Sequence, residues 1–154
     1  MNTFSKRLDR LPPYMFGKLK QLTHDRRQQG VDVIDLGMGN PSEPTPSDII
    51  DKLCEVAYDP KNHRYSASKG IFNLRREICW YYERKFGVQL DPNHEATSVI
   101  GTKEGLSHLA LALIDEGDLA LVPNPTFPIH IYSIILAGGS VVSIPLHAEN
   151  EFVP

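Results

Sequence analysis

With 154 residues, 41% apolar and 23% charged, the chain has the length and balance of one ordinary soluble domain. A formal net charge of -3 argues against nucleic acid or an anionic membrane surface as the main partner. No apolar run approaches the roughly 20 residues that a membrane span requires, and the opening MNTFSKRLDRLPPYM holds no signal-peptide core; two cysteines without an export signal fit a reducing cytoplasm.

In chain order, residues 1–13 are expected to form an extended arm, because Leu11-Pro12-Pro13 disfavours helix up to that point. Such an arm is usually a tether, and in an oligomer it often reaches a neighbour. Residues 14–29 read as a helix bearing Phe16, Leu19 and Leu22, ended by Gly30. Residues 31–36 form the next candidate strand, which runs into Gly37-Met38-Gly39-Asn40-Pro41. Two glycines there either let backbone amides point into a cleft or serve a turn that needs positive φ.

Thr45-Pro46-Ser47-Asp48 has the form of a helix start, with Thr45 as N-cap, Pro46 at the first helical position and Asp48 closing a capping box. That helix is expected to turn Ile49, Ile50, Leu53 and Ala57 inward and to stop before Pro60. The loop over residues 59–70 carries His63-Arg64-Tyr65-Ser66, an aromatic among polar groups, and so is a better functional candidate than a core position. Ile71, Leu74, Ile78 and Tyr82 then line one face of a helix that Gly87 ends, while Arg75, Arg76 and Glu83 read as its solvated face. Cys54 and Cys79 fall inside helical patterns, where small buried thiols are expected.

The stretch over residues 97–115, TSVIGTKEGLSHLALALID, organises the rest. Its β-branched start, residues 97–100, reads as a strand; Gly101 breaks it; and Leu106, Leu109, Ala110, Leu113 and Ile114 repeat at helical spacing. A strand that turns tightly into a helix is an anion seat, because the first helical amides lack partners and the macrodipole is positive there. The same turn also serves simple chain reversal in many α/β proteins. It matches neither G-x-G-x-x-G nor G-x-x-x-x-G-K-[ST].

Beyond the Glu116-Gly117-Asp118 turn, residues 119–122 read as a buried parallel strand and residues 141–144 as another. The three apolar runs alternate with helices, which signals parallel α/β crossovers. Between the last two strands, Pro123-Asn124-Pro125-Thr126-Phe127-Pro128 places three prolines in six residues. This segment is expected to lie beyond the sheet, holding Phe127 on a stiff backbone at the edge that carries Gly101 to Lys103. An aromatic beside an anion cup suits a flat, phosphorylated cofactor. The histidines are scattered without metal-ligand spacing, so no metal is inferred.

Five stretches together carry a family resemblance: RLPPYMF at 10–16, DLGMGNPSEPTP at 35–46, HRYSASKGIFNLRREI at 63–78, GTKEGLSHLALALID at 101–115 and VPNPTFPIHIY at 122–132. In this order they resemble the amino-terminal part of a class I/II, fold-type I pyridoxal-phosphate aminotransferase. The likeness is greatest to the bacterial glutamate-pyruvate (alanine-forming) and LL-diaminopimelate aminotransferases. The resemblance implies an α/β fold, with residues 1–47 as the arm and part of a small domain and residues 48–154 as an incomplete cofactor-binding large domain built on a mainly parallel sheet.

The same resemblance implies roles. Thr102 and Lys103 would donate to the phosphate of pyridoxal 5'-phosphate, mainly through backbone amides; Phe127 would stack on its ring; and Tyr65 would reach across a homodimer interface to the phosphate in the neighbour's site. Gly39 would offer its amide to the substrate carboxylate, and Tyr14 would help close the substrate pocket. The stacking position is usually tyrosine or tryptophan, and Phe127 keeps the ring face without a polar handle, which bears on substrate preference.

The implied activity is transfer of an amino group between an amino acid, alanine or glutamate, and a 2-oxo acid, in the cytoplasm. Its catalytic residues, the Schiff-base lysine above all, are expected beyond Pro154, so the 154 residues are expected to be an inactive, poorly stable fragment with an open apolar edge at 141–144. Lys103, at the phosphate turn, is not expected to replace that lysine. Two other readings remain: a lyase or synthase using the same fold and cofactor, and a non-catalytic truncated product that acts only as a dimerisation module.

Overall fold

The structure, a computed structural model, describes residues 3–37 and 39–154; Met1 and Asn2 of the expected arm and Met38 of the glycine-rich turn lie outside the described residues. Contacts divide the chain into two compact units, Met1–Met15 with Val99–Pro154, and Phe16–Ser98.

The first unit is built on two parallel strands, β1 (Leu119–Asn124) and β2 (Ser140–Pro145), paired in register from Leu119 opposite Ser140 to Asn124 opposite Pro145. The crossover between them is a helix, α6 in chain order, spanning Pro128–Ala137, and it packs on both strands and on α5 (Thr102–Leu113). Val122, Ala110, Ile135 and Ala137 are buried where these elements meet.

β1 extends past its expected end, since Pro123 and Asn124 remain in register with β2 and Leu146 N donates to Asn124 O at 2.8 Å. Ser140 N donates in the same way to Asp118 O at 2.8 Å. Because consecutive residues face opposite sides of a strand, even-numbered residues turn their polar groups toward β2 and Pro123 faces away. Its missing N–H therefore costs no bond to β2.

The expected extended arm is one helical turn, α1 (Lys6–Asp9), opened by Ser5, whose Oγ accepts from Arg7 N at 3.3 Å. The prolines restrict only Leu11, Pro12 and Pro13, so residues 6–9 are free to coil. The arm docks on α6: Arg7 Nη1 donates to Leu136 O at 3.2 Å, and Arg10 donates to Gly139 O at 2.6 Å and to Gly138 O at 3.3 Å.

Residues 31–36 and 97–100 join no ladder among the described residues, contrary to the strands expected there. Their β-branched pattern reports a preference for extended backbone, while a strand also needs a neighbour to pair with.

In the second unit, α2 (Met15–Gln28) and α4 (Phe72–Phe86) fall where expected, and Gly87 closes α4 in the left-handed conformation at φ 69. Helix α3 (Ser47–Ala57) starts later than the capping-box reading, because Pro46 is its N-cap, at φ -52 and ψ 139, and makes no side-chain capping bond. The Pro46 carbonyl accepts instead from Ile49 N at 3.1 Å and Ile50 N at 3.3 Å. The face expected to point inward is open: Ile49, Ile50 and Leu53 are exposed, as are Ala57 and the Cys54 thiol, whereas Cys79 is buried as expected.

Arg75 departs most from expectation. At 9% exposed, it donates through Nε to Gly70 O at 3.2 Å and through Nη1 to Pro92 O, binding the loop before α4 to the turn after it, while Ile71, Leu74 and Tyr82 are exposed. Gly70 is required there. Its φ is +84, and an added Cβ would lie 1.9 Å from Ser98 Oγ, beside the bond from Ser98 N to Lys69 O at 2.9 Å.

Among the described residues no helix is long and apolar enough to cross a membrane.

Candidate functional site

The turn into α5 is built as an anion seat requires. Gly101 is the N-cap at φ 97 and ψ 152, a region that residues with a Cβ rarely enter, and it makes no side-chain capping bond. An added Cβ at Gly101 would meet nothing within 4 Å, so the space beside the helix end is open. Gly105 N already donates to Gly101 O at 3.1 Å; the amides of Thr102, Lys103 and Glu104 precede the first intrahelical acceptor.

Glu104 fixes the geometry of this entry. Its Oε2 accepts from Ile100 N at 3.1 Å, and its Oε1 lies 2.6 Å from His108 Nδ1 one turn along. The carboxylate is thus engaged at the residue before the cap and at the helix flank. A glutamate three residues after the N-cap is the sequence signal for such a brace, one that the apolar periodicity of α5 does not reveal.

Phe127 is the N-cap of α6, with Pro128 at the first helical position. The Lys103 ammonium stands 4.9 Å from the centroid of the Phe127 ring, within cation–π range. The two halves of the expected cofactor site, separate in sequence, therefore meet in the first unit. Thr102, Lys103 and Phe127 all stay accessible to solvent.

Tyr14 belongs to the same unit. Its ring centroid lies 6.5 Å from that of Tyr132 on α6, the planes inclined by 51°, and Tyr132 Oη donates to Pro12 O at 2.9 Å. Nothing in the sequence links Tyr132 to residues so far from it along the chain.

Tyr65 and Gly39 lie in the second unit. Tyr65 is fully exposed and, with His63 and Arg64, lines an open hollow. The loop that carries it is tied to the end of α3: His63 Nε2 donates to Ala57 O at 2.9 Å and Asn62 Nδ2 donates to Val56 O at 2.7 Å. His63 thus satisfies a carbonyl at the helix end, and Asn62 adds a second donor to Val56 O, which already accepts from Asp59 N at 3.3 Å; the sequence pattern suggests this role for neither. Gly39 is exposed, and a side chain there would meet nothing within 4 Å; the turn before it is set by Gly37 N donating to Asp35 Oδ1 at 2.8 Å.

A further hollow of about 350 Å³ lies between α5, β1 and α6, lined chiefly by apolar side chains such as Leu106, Leu113, Leu121 and Ile134. Thr102, Lys103 and Phe127 are not among its walls. Its polar lining is confined to Thr126, His130 and Ser133.

The α/β architecture with its parallel strands matches the amino-terminal part of fold-type I aminotransferases, as the likeness to the solved aspartate aminotransferase of Thermotoga maritima shows: TM-score 0.86 at 27% identity, over 98% of this chain and 40% of that one. The chain belongs to the aminotransferase class I and II family, which matches residues 31–153, and this family depends on pyridoxal 5'-phosphate. Among curated relatives, it is 51% identical over 146 residues to glutamate-pyruvate aminotransferase AlaC of Escherichia coli (strain K12), covering 95% of this chain and 35% of that protein. It is 43% identical over 150 residues to LL-diaminopimelate aminotransferase of Moorella thermoacetica, covering 97% of this chain and 38% of that protein. The solved apo-BacF structure from Bacillus subtilis superposes with a TM-score of 0.87 at 33% identity, over 100% of this chain and 39% of that one. The chain thus spans less than two fifths of the length of both curated relatives.

Proposed function

We propose that these residues form the cofactor-phosphate and ring-stacking side of an aminotransferase that moves an amino group between alanine or glutamate and a 2-oxo acid. The observation that carries this reading is the meeting of Lys103 and Phe127 at the opening of α5. The name of the relative AlaC supports the choice of substrates.

The residues fit pyridoxal 5'-phosphate in kind. Amides at a helix start and an ammonium suit a dianion, an aromatic face suits a pyridine ring, and the open space at Gly101 admits the phosphate. When bound, the cofactor supplies an electron sink for the charge left at the substrate Cα once its proton is removed. The amides of Thr102 and Lys103 hold the phosphate, Phe127 fixes the ring plane, and Gly39 leaves room for the substrate carboxylate to approach a backbone amide. Tyr14 closes over the substrate and excludes water.

In this reading the enzyme is a cytoplasmic homodimer in which Tyr65 hydrogen-bonds the phosphate of the neighbouring site. Residues 1–47 contribute to the arm and small domain, and residues 48–154 open the large domain. The lysine that holds the cofactor aldehyde and shuttles the proton comes from the remainder of the enzyme, so the 154 residues alone are inactive.

An amino-donor screen of the complete enzyme tests the proposal. Conversion of pyruvate or 2-oxoglutarate with glutamate or alanine as donor is the expected result. Ammonia release with no 2-oxo acid consumed would instead assign a lyase, and absence of any cofactor binding would leave a dimerisation module.

A further inference from the structure

The arm and α6 run side by side in opposite directions. Arg7 and Arg10 bond to the carbonyls of Leu136, Gly138 and Gly139 at the carboxyl end of α6, where cations complement the helix dipole. Pro12 and Tyr14 meet Tyr132, five residues past the Phe127 N-cap. At 1.5 Å per residue this is about 7.5 Å along the axis from Phe127, the midpoint of the ten-residue α6. The arm therefore delivers Tyr14 to the middle of α6, half a helix length from Phe127.

The chemistry of the arm makes its attachment there depend on an outside donor. Pro12 and Pro13 carry no N–H, so this stretch can only accept, and the carbonyl of Pro12 takes the Tyr132 hydroxyl at 2.9 Å. We propose that Tyr132 is a positioning residue, which pins Pro12 so that Tyr14 is held over the substrate and thereby sets affinity for the amino acid without altering turnover. This rests on the aminotransferase reading for what Tyr14 covers, whereas the pinning itself rests on the geometry of the arm alone.

The test is Tyr132→Phe in the complete enzyme, a change that removes the hydroxyl and keeps the ring. Amide exchange at Leu8, Arg10, Leu11 and Tyr14 is expected to quicken, and KM for the amino donor to rise about 2- to 10-fold at unchanged kcat, the span that one neutral hydrogen bond supports. Tyr14→Ala should raise KM as well, and adding Tyr132→Phe to it should change KM no further, because both act through one group. Unaltered amide exchange, a loss of kcat with KM unmoved, or additive effects in the double variant would overturn the proposal. Should the complete enzyme turn over no amino donor, the aminotransferase reading has failed separately, and exchange still decides: faster exchange sustains the pinning and unchanged exchange removes it.

Discussion

The Lys103 ammonium faces the Phe127 ring at 4.9 Å, so that the first turn of α5 and the N-cap of α6 share one contact. β1 ends at Asn124, two residues before Thr126, and α5 begins directly after Gly101; the contact is made between two loop-to-helix junctions, each fixed by its own helix. Rigid junctions hold a flat ligand better than loops do.

The first prediction rests on that contact. Phe127→Leu in the complete enzyme should weaken pyridoxal 5'-phosphate several-fold, since the ring face and an exposed cation–π contact of about 0.5 to 1 kcal/mol are lost together. Phe127→Tyr should hold affinity within about twofold, because the face remains. Cofactor titration followed by absorbance distinguishes the two, and a leucine variant that binds as tightly as the parent would take Phe127 out of the site.

Tyr65 offers a second measurement, because its ring is fully exposed within these 154 residues and Tyr65→Phe keeps that ring at the proposed dimer interface. Tyr65→Phe should leave the melting temperature of the cofactor-free enzyme unchanged while lowering cofactor affinity. A hydrogen bond to a charged acceptor contributes about 1.5 to 3 kcal/mol, or roughly 10- to 150-fold in the dissociation constant. Equal affinity in the variant would mean that Tyr65 binds no phosphate.

Much of the fold was legible where a pattern reports on its own segment. Gly87 and Gly101 marked helix boundaries because few other residues enter a left-handed or positive-φ backbone, and both stand where the sequence placed them. What the sequence concealed depends on partners far along the chain. Arg75 looked like one more charge on a solvated face, yet the Gly70 and Pro92 carbonyls take its guanidinium inside. Residues 97–100 had the composition of a strand but join no ladder among the described residues. At the candidate site, Thr102, Lys103 and Phe127 could be named from local motifs, whereas the arm's attachment through Tyr132 could not.

Arg75 gives the third prediction. Arg75→Met keeps the length of the side chain near Phe72 and removes both bonds to the loop carbonyls, which should destabilise the complete enzyme by about 2 to 4 kcal/mol. Gly70→Ala should act on the same loop by a different route, through the strained φ of +84 and the clash with Ser98 Oγ. Adding Ser98→Gly removes the clash and leaves the strain, so it should restore part of the loss. A lower urea midpoint in each single variant, with partial recovery in the double, is the expected result; full recovery would mean that the backbone strain carries no cost.

The last prediction concerns a polypeptide limited to these 154 residues. Each unit leaves large apolar side chains open: Leu121 on β1 is 69% exposed, Leu113 on α5 is also 69% exposed, and the α3 face of Ile49, Ile50 and Leu53 is exposed. At about 25 cal/mol per Å², leaving even 500 Å² of apolar surface uncovered forgoes about 12 kcal/mol, the size of a whole domain's net stability. Such a polypeptide should therefore aggregate or bind ANS and unfold over a broad range in calorimetry. A sharp, cooperative transition without dye binding would show instead that the two units close over their own apolar faces.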